Sequence, residues 1–352
     1  MTGAAPIARR ILLALACSAA LAADAVAQPS KPSRPRFYAR GAKSRVVRFA
    51  AAGGATLEGT LLLPIWTELE RVPGVVLVSG SGPTDRDGNN PLVPERIDLL
   101  RQVAERLAEA GIASLRYDKR GVGGSTPRPQ GSLDEQQRFF AWDNYVADVA
   151  AAHAELVRHD EVKAYATALL GHSEGGLLVL AAAPTIARHP PHAMVLMGTP
   201  GRRLGDVLRA QIERSAPPAL VAPAERALAA IAATGRVPTD LPRELDALFP
   251  PYAGPFLQSL LAFDAAAALR ASPLPCLLLQ GAADRQVVPM ADIQPLVDAL
   301  GQRTAPADVV VVAAGSHNFK TVASPTDPGF GGPLSPAAVT ALTGWLARTL
   351  GA

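Results

Sequence analysis

Six consecutive residues, Gly171-His172-Ser173-Glu174-Gly175-Gly176, set one serine among glycines, behind the apolar run Ala168-Leu169-Leu170 and ahead of a helical apolar stretch, Leu177 to Ala183. A serine on a sharp strand-to-helix turn presents its Oγ clear of the backbone, and small flanking residues let the turn close. Its hydroxyl is a weak nucleophile, so a histidine must take the proton and a carboxylate must orient that histidine. Of the six histidines, His153 and His159 precede the turn on a predicted helix, His172 is expected to point away from Ser173, and His189 and His192 flank a Pro-Pro loop. His317, in the loop Gly315-Ser316-His317-Asn318-Phe319 after the last apolar run, is the candidate base. Asp284 ends Gln280-Gly281-Ala282-Ala283-Asp284, directly behind the run Cys276 to Leu279, and is the candidate acid. Asp292 and Asp308 compete in type only, because the first belongs to the following helix and the second begins the next strand.

An acyl-transfer reaction also needs two backbone N–H donors for the developing oxyanion. One is expected from Glu174, the residue after the nucleophile, and the other from the loop Ser79-Gly80-Ser81-Gly82-Pro83. Ser81 is the first choice there and Gly82 the fallback, since Pro83 has no N–H.

These residues can meet only if strands deliver their loops to one edge of a sheet. Val46 to Ala50 and Thr56 to Leu63 read as strands around Gly53-Gly54, and a continuous apolar strand starts at Gly74. Further runs follow at Ala113 to Tyr117, Thr167 to Leu170, Ala193 to Met197, Cys276 to Leu279 and Val309 to Val312. The later, unbroken runs suit strands buried on both faces of a parallel sheet. Helical periods at Glu95 to Ala110, Trp142 to Arg158, Leu177 to Ala183 and Pro336 to Leu350 alternate with them, as crossover helices would. The connection from Gly201 to Ser272 is far longer than an ordinary crossover and carries amphipathic periods around Leu204 to Ile212, Glu225 to Ala233 and Phe256 to Leu269. It is expected to be a helical cap over the sheet edge, with Leu257, Leu261 and Phe263 as candidate substrate-binding residues in an acyl pocket.

Through Gly171 to Gly175, Asp284 and His317, in the order Ser, Asp, His, the chain resembles the α/β-hydrolase superfamily. It is especially similar to a bacterial serine esterase branch with the segments seen at Gly80 to Gly88 and Tyr117 to Gly123. The resemblance spans about residues 45 to 350 and departs from the usual pattern at Ser79-Gly80, where His-Gly is common. It implies an α/β-hydrolase fold, an eight-stranded mostly parallel sheet with helices on both faces and a helical cap insertion, and carboxylester hydrolysis. A serine aminopeptidase or amidase is the alternative, with Glu174, Asp85 or Asp87 available to recognise a free amine, and an inactive binding protein on the same scaffold is a third.

With 49% hydrophobic and 18% charged residues the chain is too apolar for a disordered protein, and 34 Lys plus Arg against 31 Asp plus Glu form no basic stripe for nucleic acid. Arg9 and Arg10, the apolar stretch Ile11 to Ala23 and Ala25-Val26-Ala27 make the three parts of a secretory signal, with cleavage expected before Gln28. Its apolar stretch falls short of the roughly 20 residues a spanning helix needs, so no membrane span is expected in the mature chain and the address is periplasmic or secreted. Residues 28–44, rich in Pro and basic residues, read as a linker, residues 45–200 and 273–352 as the core, and 201–272 as the cap. Cys17, a lipidation candidate in a poor context, leaves with the signal, and Cys276 opens an apolar run as a small buried hydrophobe. Asp85 to Asn89 lacks calcium-loop spacing, Gly121 to Thr126 lacks a dinucleotide loop's third glycine, and His189-Pro-Pro-His192 cannot place two rings on one helix face. No metal or other cofactor is implied; the expected partner is a small-molecule ester, and no motif speaks to oligomeric state.

Overall fold

The computed structural model describes residues 42–64, 70–93, 95–324 and 326–352. The signal at 1–27, with Cys17 and its cleavage site, and most of the linker lie outside the described residues. An eight-stranded sheet has the order β1-β2-β4-β3-β5-β6-β7-β8. Its strands are β1 (Lys43–Ala50), β2 (Thr56–Leu63), β3 (Val72–Val78), β4 (Ala113–Tyr117), β5 (Val162–His172), β6 (Ala193–Met197), β7 (Cys276–Gly281) and β8 (Ala307–Val312). Only β2 runs antiparallel to its neighbours; from β4 onward every pairing is parallel. β1 begins at Lys43, inside the segment expected to be linker, because Lys43 to Ala50 pairs along the whole of β2.

Helices cover both faces. The core helices are α1 (Leu99–Glu109), α2 (Leu133–Phe139), α3 (Trp142–Val157), α4 (Glu174–Ala182), α9 (Gln294–Gly301) and α10 (Pro336–Leu350), and the insertion holds α5 (Leu204–Ser215), α6 (Pro218–Thr234), α7 (Gly254–Ala262) and α8 (Ala265–Ala271). α1 and α10 share one core with Leu77, Leu170 and Val195 of the sheet. On the other face α3, α4 and α9 form a second core with Val76, Leu169 and Leu196, and the insertion joins it. Alternate residues of β3, β5 and β6 thus feed opposite cores, which is why these strands are apolar throughout.

Three expectations need correction. β8 is an edge strand, with Val309 and Val311 exposed because nothing pairs beyond it. α1 starts at Leu99 rather than Glu95, because the Asn89 carboxamide oxygen accepts the N–H groups of Ile97 and Asp98, both at 2.9 Å, and holds the approach out of the helix. The period at Phe256 to Leu269 is two helices, broken at Phe263 and Asp264, where the Asp264 side chain caps α8 by accepting from Ala267 N–H at 2.9 Å. α2 was not anticipated, although Ser132 and Glu135 form a capping box that the sequence displays.

Candidate active site

Ser173 sits between the end of β5 and the start of α4 with φ 56 and ψ −124, a conformation that costs an L residue about 1–3 kcal/mol. The turn is held by the Ser173 N–H donating to Met197 O at 2.8 Å and by Gly176 N–H donating to Ser173 O at 2.9 Å. Its glycines are required by approach: a Cβ on Gly171 would stand 2.3 Å from Gly175 O, and one on Gly175 would stand 2.4 Å from Val78 O. The elbow therefore closes against both its own helix and the neighbouring strand β3.

The other two residues are brought together by the ends of β7 and β8. A Cβ at Gly281 would lie 2.4 Å from the carbonyls of both Gly315 and Ser316, so only glycine lets these loops touch. Ala282 N–H donates to Val312 O and Ala283 N–H to Gly315 O, each at 2.9 Å, and stitch them. Across this seam His317 Nδ1 donates to Asp284 Oδ2 at 2.8 Å. The same oxygen accepts from Gln280 Nε2 at 3.1 Å, while Oδ1 accepts the N–H groups of Gln286 at 2.8 Å and Val287 at 2.9 Å. A carboxylate that only accepts fixes the proton of His317 on Nδ1 and leaves its lone pair on Nε2, the tautomer a general base needs. Ser173, Asp284 and His317 are all buried, with Ser173 and His317 lining one cavity.

That cavity, mouth included, holds about 490 Å³. Val93, Ile97, Leu100 and Phe330 give it an apolar wall, Thr84, Asn90, Gln286 and Asn318 a polar one, and none of the described residues that line it is Asp, Glu, Lys or Arg. Gly80 and Ser81 also line it, and a Cβ on Gly80 would lie 3.2 Å from Ser173 Cβ, so the expected oxyanion loop abuts the nucleophile. Glu174 opens α4, where the first backbone N–H groups have no partner within the helix.

Leu257, Leu261 and Phe263, expected in an acyl pocket, do not line this cavity. They belong to the core under the insertion, where Trp142 of α3 meets Phe256 and Phe263 with ring centres 5.9 and 5.5 Å apart. The apolar face of α7 is spent on fastening the insertion to α3. The insertion reaches the site through α5 instead, whose Gln211 Nε2 donates to Gln286 O at 2.9 Å. The carboxylates expected to greet a free amine are also engaged: Asp85 Oδ1 accepts the N–H groups of Asp87 and Asn89, Asp87 pairs with Arg116, and Glu174 faces Lys119.

His172 was set aside on sequence, yet its ring packs on His317 with centres 4.7 Å apart and its Nε2 donates to His317 O at 2.9 Å. Burial, then the neighbouring His317, pushes it down to about 3, so it is neutral at ordinary pH. No spacing in the sequence announces this contact, which joins residues far apart in the chain. Cys276 is buried and its thiol is pushed up to about 12, as an inert core residue would be.

A strained serine after β5, an acid after β7 and a histidine after β8 on this strand order are one arrangement. The chain has the α/β-hydrolase fold. Residues 94–239 match the family model of the serine aminopeptidases S33, described as Hydrolase_4. Among solved structures with this hydrolase fold, GrgF of Penicillium sp. sh18 is similar with a TM-score of 0.56 at 17% identity, covering 88% of this chain and 100% of its own. Est1E of Butyrivibrio proteoclasticus, solved with ferulic acid bound, gives a TM-score of 0.52 at 17% identity over 86% of this chain and 96% of its own. A puromycin-hydrolyzing peptidase of Mycobacterium tuberculosis gives 0.55 at 20% identity over 88% of this chain, which spans 40% of that peptidase. No curated protein sequence matches this chain.

Proposed function

We propose that this α/β hydrolase is an exported serine enzyme that cleaves small or medium uncharged carboxylic esters through an acyl-enzyme intermediate. The observation that carries it is the hydrogen bond from His317 Nδ1 to the buried Asp284, with His317 lining the same cavity as Ser173 on its strained elbow. His317 Nε2 takes the Ser173 proton as Oγ adds to the ester carbonyl, and the N–H groups of Ser81 and Glu174 receive the oxyanion. Collapse expels the alcohol, which takes its proton from His317, and water repeats the sequence on the acyl-enzyme. Asp284 holds the imidazole throughout and stabilises it when charged.

An ester is favoured because the described residues that line the cavity offer no carboxylate to an amine and its wall is partly apolar. A peptidase or amidase is the second reading, supported by the serine aminopeptidase model over residues 94–239 and by the peptidase among the fold's neighbours. Export rests on the signal pattern of residues 1–27. No helix among the described residues is long and apolar enough to cross a membrane.

The test is Ser173→Ala, which should abolish turnover of p-nitrophenyl esters and labelling by a fluorophosphonate while the protein stays folded. Labelling that survives the substitution would refute the assignment. A panel of p-nitrophenyl esters of rising chain length beside aminoacyl anilides decides between ester and amide.

A further inference from the structure

Lys119 follows β4 in the segment Tyr117-Asp118-Lys119-Arg120-Gly121 and takes no part in the steps above. It is nevertheless buried, and its ammonium has two partners: Nζ donates to Gly80 O at 2.5 Å and lies 3.7 Å from Glu174 Oε1. Both side chains are almost wholly inaccessible, at 3% and 4%. Neither lines the cavity, so the pair sits behind the wall rather than in it. Burial drives Lys119 down and Glu174 up from their ordinary values, and their mutual attraction opposes both shifts.

What this pair touches gives it a role. Gly80 lies so near Ser173 that no Cβ would fit without a tight approach, and its carbonyl meets the lysine. In a trans peptide the carbonyl and the following N–H point in opposite directions, and no peptide bond among the described residues is cis. With Gly80 O turned to Lys119 behind the wall, the Ser81 N–H is turned toward the cavity where Ser173 stands. The second oxyanion donor is the backbone of Glu174, whose own carboxylate grips the same ammonium. One buried cation thus ties the peptide that supplies one donor to the residue that supplies the other.

We propose that Lys119 is a positioning residue of the oxyanion hole: held by Glu174, it clamps the Gly80 carbonyl and so aims the Ser81 N–H at the oxygen that becomes negative during acyl transfer. This rests on the serine-hydrolase reading of Ser173. Oxyanion stabilisation depends on donors already in place, since a donor that must first turn spends on its own reorganisation what it would give to the transition state. Substrate binding, by contrast, uses the cavity's side-chain walls, and Lys119 meets the lining only through the Gly80 carbonyl behind it. Loss of the clamp should therefore act on kcat far more than on KM.

The test compares Lys119→Met, Lys119→Arg and Glu174→Gln with the parent on p-nitrophenyl acetate, with active sites counted by complete phosphonylation with a fluorophosphonate. Lys119→Met should lose about 10- to 100-fold in kcat per labelled site, less than the loss of a whole oxyanion donor, with KM changed less than about threefold. Affinity for a trifluoromethyl ketone, which Ser173 converts to a tetrahedral oxyanion adduct, should fall in parallel with kcat/KM. Lys119→Arg, still able to donate to Gly80 O, should recover part of both. A lysine needed only for folding would give fewer labelled sites with unchanged kcat per site and unchanged ketone affinity, and that result overturns the proposal. If Lys119→Met does not fold, the near-isosteric Glu174→Gln carries the same readings, and no change in either overturns it equally. A parent enzyme that is not labelled at Ser173 defeats the serine-hydrolase reading and this proposal with it, whereas a labelled parent with unaffected variants defeats the role of Lys119 alone.

Discussion

Asp284→Asn is the substitution whose outcome the geometry constrains most tightly. Four donors point at this carboxylate: Gln286 N–H and Val287 N–H on Oδ1, His317 Nδ1 and Gln280 Nε2 on Oδ2. An asparagine has one oxygen and one NH₂, so in either orientation its NH₂ faces two donors. With the oxygen on the backbone N–H groups, the NH₂ confronts His317, which can accept it only by moving its proton from Nδ1 to Nε2. The base then carries a hydrogen where it needs a lone pair. A wrong-tautomer histidine costs about 10⁴ in kcat, or about 5 kcal/mol of transition-state stabilisation. Turned the other way, the amide leaves the two backbone donors of the 284–287 turn unsatisfied in a buried site, at roughly 1–3 kcal/mol each. Since Asp284 is 4% exposed, water offers little relief. The expected result is a folded enzyme with kcat on p-nitrophenyl acetate reduced about 10³- to 10⁴-fold, KM little changed, and a urea midpoint lowered by the equivalent of about 2–4 kcal/mol. A variant within tenfold of the parent kcat would refute the assigned acid and the tautomer argument together.

Ile97→Ala and Phe330→Ala, on the cavity wall, should shift the preference for longer over shorter acyl chains by about tenfold in kcat/KM, whereas Leu257→Ala should cost about 2–4 kcal/mol of stability and leave the chain-length profile unchanged; the ester panel and urea melts check both. His172 and His153 are held down to about 3 and about 4 by burial first and neighbouring histidines second, so the unfolded chain binds protons below its ordinary value of 6.5 that the folded protein refuses. Asp85, pushed up to about 6 by burial first, takes up a proton in the folded state over part of this range and opposes the histidines, so their contribution is read by difference. His153→Gln should remove up to one proton, or about 1.4 kcal/mol per pH unit, from the slope of stability between about pH 6 and 4 relative to the parent, and an unchanged slope in urea midpoints would contradict it. Mass spectrometry of the exported protein should find Gln28 at the N-terminus; lipid on Cys17 would contradict soluble export.

The candidate triad could be proposed from sequence because each of its residues is announced by its own neighbours. Ser173 stands in a glycine frame between a strand and a helix, and Asp284 and His317 follow apolar runs that become β7 and β8. Parallel strands all leave the sheet at one edge, so the order of loops along the chain is enough to gather them. Strand positions were equally local, since an apolar run between polar turns marks itself. Only the tertiary structure decided the rest. The insertion's apolar residues could have faced substrate or core, and amphipathic spacing is the same for both; packing of Phe256 and Phe263 on Trp142 assigns them to the core. The cavity wall comes instead from Val93, Ile97 and Phe330, separated in sequence and joined by folding. His172 and Lys119 carry no motif of their own, because what they do depends on which backbone carbonyl folding brings to them, His317 O for one and Gly80 O for the other. Side-chain type and short-range order are written in the sequence, while a contact between a side chain and a distant backbone oxygen exists only once the sheet has fixed the distance between them.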